Sequence, residues 1–213
     1  METGLKLKIL LKEQLKILDF DQLLFVNLTL RQLWFQISIL LKMRLPIFNV
    51  PYHSKLLGEE CEAYMGLADF HQYHPSKPAI HEADLILMIG GRLDNQMNFG
   101  NPPFFPAEQT LVCINGSHEE LEYNQAADHV LLSDPNAFLD ALLTVNKNWP
   151  KWFELQSDRR KVWVEDWYDH IAEESAKPGK MHPLQLSLDV QTQMGSDDWL
   201  IFDGGNTHFW SEI

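Results

Sequence analysis

Cysteine is scarce in this chain: Cys61 and Cys113 are the only two among 213 residues. Two cysteines make neither a disulfide framework nor a zinc spacing, and they fit a reducing, cytoplasmic setting. Cys113 lies inside the apolar run Leu111-Val-Cys-Ile114, which marks it as a buried core thiol. Long apolar runs are also missing. No stretch of about eighteen uncharged apolar residues occurs, so no membrane-spanning helix is expected. The start, Met1-Glu-Thr-Gly-Leu-Lys-Leu-Lys8, lacks the small-residue cleavage site of a secretory signal. Basic charge is short over most of the chain. The formal net charge is -13, and residues 46–213 carry ten Lys/Arg against twenty-six Asp/Glu. So acidic a body excludes nucleic acid as a partner, because phosphate backbones need basic surfaces.

What is present is a core and a rhythm. Apolar residues make up 45% of the chain, enough for a packed interior. Residues 1–45 carry seven Lys/Arg against four Asp/Glu. Within them, residues 1–22 form an atypical amphipathic segment, with Leu5, Ile9, Leu10, Leu15, Ile17 and Leu18 set among lysines. A helix docked on the domain accounts for this pattern, and a membrane-surface helix is the alternative. Residues 23–30 read as a strand, 31–44 as a helix, and Pro46–Val50 as a second short strand. Residues 51–82 read as loop-rich. His71-x-x-His74 within them is set aside as a metal pair, for want of a third ligand at helpful spacing.

Leu85–Ile89 is apolar without polar alternation, as in a strand covered on both faces. Gly90 and Gly91 then allow a sharp turn and close approach to another molecule. Thr110–Asn115 is the next strand. Ser117 is a helix N-cap, with Glu120 as its capping-box partner. His129–Ser133 is a further strand, followed by an Asp134 cap, Pro135 at the first helical position and a helix over Ala137–Leu143. This alternation predicts an α/β fold with a Rossmann-like, doubly wound parallel sheet over residues 23–145.

Residues 146–182 read as an aromatic-rich helical linker, with Trp149, Trp152, Phe153, Trp163, Trp167 and Tyr168 set among charges. Packing onto neighbouring protein is one use of them, and base or sugar stacking the other. Residues 183–213 open a new α/β unit. A helix over 183–194 leads to a strand over Asp198–Asp203 that ends in Gly204-Gly205. One helix and one strand do not bury a core, so this unit reads as incomplete.

From about residue 80 the chain resembles the thiamine diphosphate-dependent enzymes of the acetolactate synthase-like group. The resemblance runs through four stations in order. They are Ala83-Asp-Leu-Ile-Leu-Met-Ile-Gly-Gly-Arg-Leu-Asp94 with Asn98–Phe105, then Leu111–Gly116 with Glu119–Asn124, then Ala127–Asp134, and last His182-Pro-Leu through Phe202-Asp-Gly-Gly-Asn206. It implies the central domain of such an enzyme plus a truncated start of the carboxyl-terminal domain that binds thiamine diphosphate through Mg²⁺.

In the family the cofactor's thiazolium carbon becomes a carbanion that attacks a 2-keto acid or acyl carbonyl, making the enzymes lyases or transferases. The resemblance places FAD or ADP, where a central domain binds one, by Gly90, Gly91, Arg92, Leu93 and Asp94 and by Ile114, Asn115 and Gly116. Arg92 is the candidate phosphate contact. It places Asp203, Gly204, Gly205 and Asn206 near the diphosphate end of thiamine diphosphate. No stretch matches the glutamate-bearing pyrimidine domain or the Gly-Asp-Gly metal segment, so no catalytic or metal residue is assigned. The family also departs at Asn115-Gly116, where an acidic residue often faces an adenosine ribose. Three readings follow: a truncated enzyme inactive alone, a nucleotide-binding or interaction module, or one piece of a split enzyme with a complementing chain. The family's members are commonly homo-oligomers.

Overall fold

A computed structural model describes residues 21, 23–28, 41–50, 61–70, 75–124, 126–179, 181–195, 197–201 and 210. It divides into two compact units, residues 1–159 and 160–213, joined within one long helix.

The first unit is built on six strands: β1 (Leu23–Leu28), β2 (Ile47–Asn49), β3 (Tyr64–Leu67), β4 (Leu85–Ile89), β5 (Thr110–Asn115) and β6 (His129–Leu132). All pair in parallel, in the order β3-β2-β1-β4-β5-β6. This is the expected doubly wound sheet. The chain works outward from β1 to β3, then returns to lay β4 on the other side of β1. The order therefore reverses between β1 and β4, and the carboxyl ends there border the crevice where such sheets bind ligands.

Helices α1 (Ser76–Glu82) and α2 (His118–Glu122) connect strands, and α3 (Pro135–Leu142) follows β6. Their starts follow local chemistry. Asp134 Oδ1 accepts the Asn136 and Ala137 N–H groups at 2.9 and 3.1 Å, with Pro135 at the first helical position. Ser117 Oγ accepts the Glu120 N–H at 3.4 Å. The other half of the expected capping box does not carry over, because the Ser117 N–H goes to Asn115 Oδ1 and the Glu120 carboxylate binds Arg92.

β4 is buried along its whole length and packs with Ile47, Phe48, Leu111–Ile114, Phe138 and Leu142 in one core. Trp149, Trp152 and Phe153 belong to that core, so these aromatic groups pack against protein. Burying one such ring stabilises the fold by roughly 1.5–3 kcal/mol.

The segment expected to be loop-rich, 51–82, contains β3 and α1. β3 is four residues long and interrupted by Gly66 at φ 107°, so it shows no usable alternation. α1 carries Pro78 in its first turn, where the missing N–H costs no helical bond. Its far end is held by Gln109, whose Nε2 donates to the Ala83 carbonyl at 2.8 Å and also to that of Ile80. The histidine pair His71 and His74 lies outside the described residues.

Helix α4 (Pro150–Ser175) runs from the first unit into the second, which also contains α5 (Pro183–Gln193). α5 starts at His182, whose Nδ1 accepts the Leu184 N–H at 3.3 Å. The strand expected from Asp198 is absent over the described residues 198–201, and Trp199 and Ile201 are 91% and 87% exposed. A strand persists only when its backbone is paired, and no described strand pairs with this segment. Among the described residues no helix is long and apolar enough to cross a membrane.

Candidate ligand site at the carboxyl edge

The turn after β4 and the segment after β5 meet at the carboxyl edge of the sheet. Gly90 has φ 73°, a conformation glycine adopts without strain, and its N–H donates to the Ile114 carbonyl at 2.7 Å. That bond ties the end of β4 to the end of β5. Gly91 and Leu93 are buried on either side of Arg92. Asn124, itself fully buried, grips both: its Oδ1 accepts the Leu93 N–H at 2.7 Å and its Nδ2 donates to the Gly91 carbonyl at 3.1 Å. The backbone on both sides of Arg92 is thereby fixed.

The Arg92 side chain is held by the same segment. Nε donates to Glu120 Oε2 at 2.9 Å and Nη2 to Glu120 Oε1 at 2.6 Å, a two-pronged pair. The guanidinium carbon lies 4.2 Å from the centre of the Tyr123 ring. Glu120 raises the Arg92 pKa above its ordinary value, chiefly through this hydrogen bond. Asp94 ends the turn by accepting the Gln96 N–H at 3.0 Å, which caps the short 3₁₀ segment Asn95–Gly100.

The structure thus brings Gly90, Gly91, Arg92, Leu93 and Asp94 beside Ile114, Asn115 and Gly116. Ile114 is buried within β5. Asn115 is nearly buried, and its side chain is spent on the Ser117 N–H at 3.0 Å. Gly116 is exposed, and an added Cβ there would meet only the Ser133 carbonyl oxygen, at 4.0 Å. The edge is open at that point. Asp203, Gly204, Gly205 and Asn206 lie outside the described residues. Glu120, Tyr123 and Asn124 were not legible as site residues. They lie about thirty positions from the turn they hold, and no local pattern links the two segments.

Among the described residues no group of three or more His, Cys, Asp or Glu is placed to hold a metal ion. The fit to a nucleotide is partial: a half-exposed Arg92 fork and open space at Gly116 suit a phosphate and a sugar, whereas the amide of Asn115 offers no carboxylate to a ribose.

A six-stranded parallel sheet in this order, with a glycine turn at the carboxyl end of β4, defines a Rossmann-like α/β domain. Residues 38–142, which span β2 to α3, match the family described as thiamine pyrophosphate enzyme, central domain. Over these residues, a little under half of its length, the chain is similar to the central domain of the thiamine diphosphate enzymes. It is 27% identical over 136 residues to 2-hydroxyacyl-CoA lyase 1 of Mus musculus, a match covering 61% of this chain and 23% of that protein. The crystal structure of benzoylformate decarboxylase from Polynucleobacter necessarius superposes with a TM-score of 0.52 at 18% identity, over 68% of this chain and 27% of that one. The chain thus spans about a quarter of the length of each.

Proposed function

We propose that this chain supplies the central scaffold of a thiamine diphosphate- and Mg²⁺-dependent, acetolactate synthase-like lyase or synthase acting on 2-keto acids or acyl donors, and that it is inactive by itself. The observation carrying this reading is the central-domain match over residues 38–142. Two relatives named a lyase and a decarboxylase support the reaction class. Thiamine diphosphate supplies a nucleophilic carbon for the carbonyl substrate. This chain's share is structural: the sheet holds the β4 and β5 turns in place. The glutamate that activates the aminopyrimidine and the Gly-Asp-Gly metal segment would come from other domains, in the same protein or a complementing chain. Asp203, Gly204, Gly205 and Asn206 would approach the diphosphate, and the assembly would be a homo-oligomer, as is general in the family.

Sequencing and translating the DNA on both sides of the reading frame tests the proposal. Flanks that encode a glutamate-bearing pyrimidine domain and a Gly-Asp-Gly…Asn segment support it. Flanks that encode neither leave the split- and truncated-enzyme readings without a source for the catalytic groups.

A second reading has its own observation. The half-exposed Arg92 fork and the open edge at Gly116 suit the phosphate of ADP or FAD, bound along Gly90–Asp94 and Ile114–Gly116. Saturable ADP binding without turnover is its signature.

A further inference from the structure

The planar fork of Arg92 is already filled by a carboxylate. Glu120 presents two oxygens to Nε and Nη2, the arrangement in which a phosphate also takes an arginine. The two side chains are 42% and 35% exposed, so a small ligand reaches them from solvent. A two-pronged pair is among the stronger surface contacts, and at this exposure solvent screens it enough for another anion to exchange with the carboxylate. The position of the guanidinium does not depend on Glu120 alone. Asn124 clamps the backbone on both sides of Arg92, and the Tyr123 ring lies beneath the charge. Moving the carboxylate away leaves the fork presented in the same place. The Glu120 backbone would stay put, because its N–H is held by Ser117 Oγ.

We propose that Glu120 is a built-in competitor for Arg92, and that a phosphate-bearing ligand binds the carboxyl edge by displacing the Glu120 carboxylate from the fork. The proposal rests on the nucleotide reading of this site and adds its regulation. Glu120 sets a threshold, since a ligand without an anionic group gains nothing by opening the pair. Asn124 and Tyr123 are positioning residues, which keep the freed guanidinium aimed at the edge. Arg92 is the ligand-touching group.

Calorimetric titration of the 213-residue chain with ADP and, separately, with inorganic pyrophosphate tests this. Glu120→Gln keeps size and removes charge. It is expected to bind both ligands about fivefold more tightly than the parent, the scale of one like-charge contact removed at about 4 Å in water. Arg92→Ala is expected to lose both. Tightening toward ADP alone would mean that the base or sugar senses Glu120, and would overturn a phosphate-driven displacement. A parent that binds ADP, with Glu120→Gln no tighter, makes Glu120 a structural staple; the proposal then falls while the nucleotide reading stands. No binding by the parent or by Glu120→Gln removes the nucleotide reading and the proposal together. Should Glu120→Gln fail to fold, Glu120→Ala, which also removes the charge, is read by the same criteria.

Discussion

Asn124 acts on Leu93 as a neighbouring strand would: its side-chain oxygen accepts the Leu93 N–H at 2.7 Å, and its amide nitrogen donates to the Gly91 carbonyl at 3.1 Å. Both partners are buried, so neither lost bond is readily replaced by water. Asn124→Ala is expected to destabilise the domain by about 1–3 kcal/mol, the cost of leaving a buried donor unmet. Asn124→Asp keeps the acceptor but sets a buried carboxylate oxygen against the Gly91 carbonyl, and should cost at least as much. Urea unfolding midpoints check both.

Gly100 is required for two reasons at once. Its φ is 74°, and an added Cβ would lie 2.8 Å from Leu93 Cδ1 and 2.9 Å from Ala126 Cβ. Gly100→Ala therefore strains the backbone and presses on the residue beside Arg92. A loss of about 1–3 kcal/mol in unfolding free energy is expected. A midpoint equal to the parent's would show that this turn has room to shift.

Burial pushes the Cys113 thiol from 9.0 up to about 12. The folded state therefore holds this proton more tightly than the unfolded state does. The resulting stability is fully present below pH 9 and is lost as pH rises from 9 toward about 12. Unfolding free energy measured across this range should fall with pH, and Cys113→Ala should flatten the fall. At pH 8 a thiol reagent should label the half-buried Cys61 quickly and Cys113 only after denaturation.

His182 caps α5 through an unprotonated Nδ1, and burial, with the nearby charge of His170, lowers its pKa below 6.5. Glu174 acts in the opposite direction and is outweighed. The rings of Trp167, His170 and Trp210 lie against His182, within the second unit. A lowered folded value means stability is present above pH 6.5 and lost as pH falls through the folded value. Helicity of the 183–193 segment, followed by NMR, should decline in acid. His182→Asn keeps a capping oxygen without titrating and should remove that decline.

The sheet was readable because its strands carry local signals. Leu85–Ile89 and Thr110–Asn115 are continuous apolar runs, and Asp134-Pro135 marks a helix start within two residues. β3 was not readable, because Gly66 breaks a four-residue strand whose place is set by pairing with β2. The Asp198 strand was over-read for the complementary reason: apolar, aromatic composition alone forms no strand without a partner. At the site, the glycine turn and Arg92 could be placed by resemblance. What holds Arg92 could not, because the Ser117–Glu120 spacing reads as a local cap. Its actual partner is twenty-eight positions away, brought near only once β4 and β5 pair.

The proposed role of this chain is that of a scaffold, with the thiamine chemistry completed by other domains. The most direct test assays the purified 213-residue chain for product release from 2-keto acids and 2-hydroxyacyl-CoA substrates, with saturating thiamine diphosphate and Mg²⁺. The scaffold role predicts no thiamine diphosphate-dependent turnover from a chain that still melts cooperatively. Turnover that requires thiamine diphosphate and survives repurification would contradict it, and would place the catalytic groups within these 213 residues.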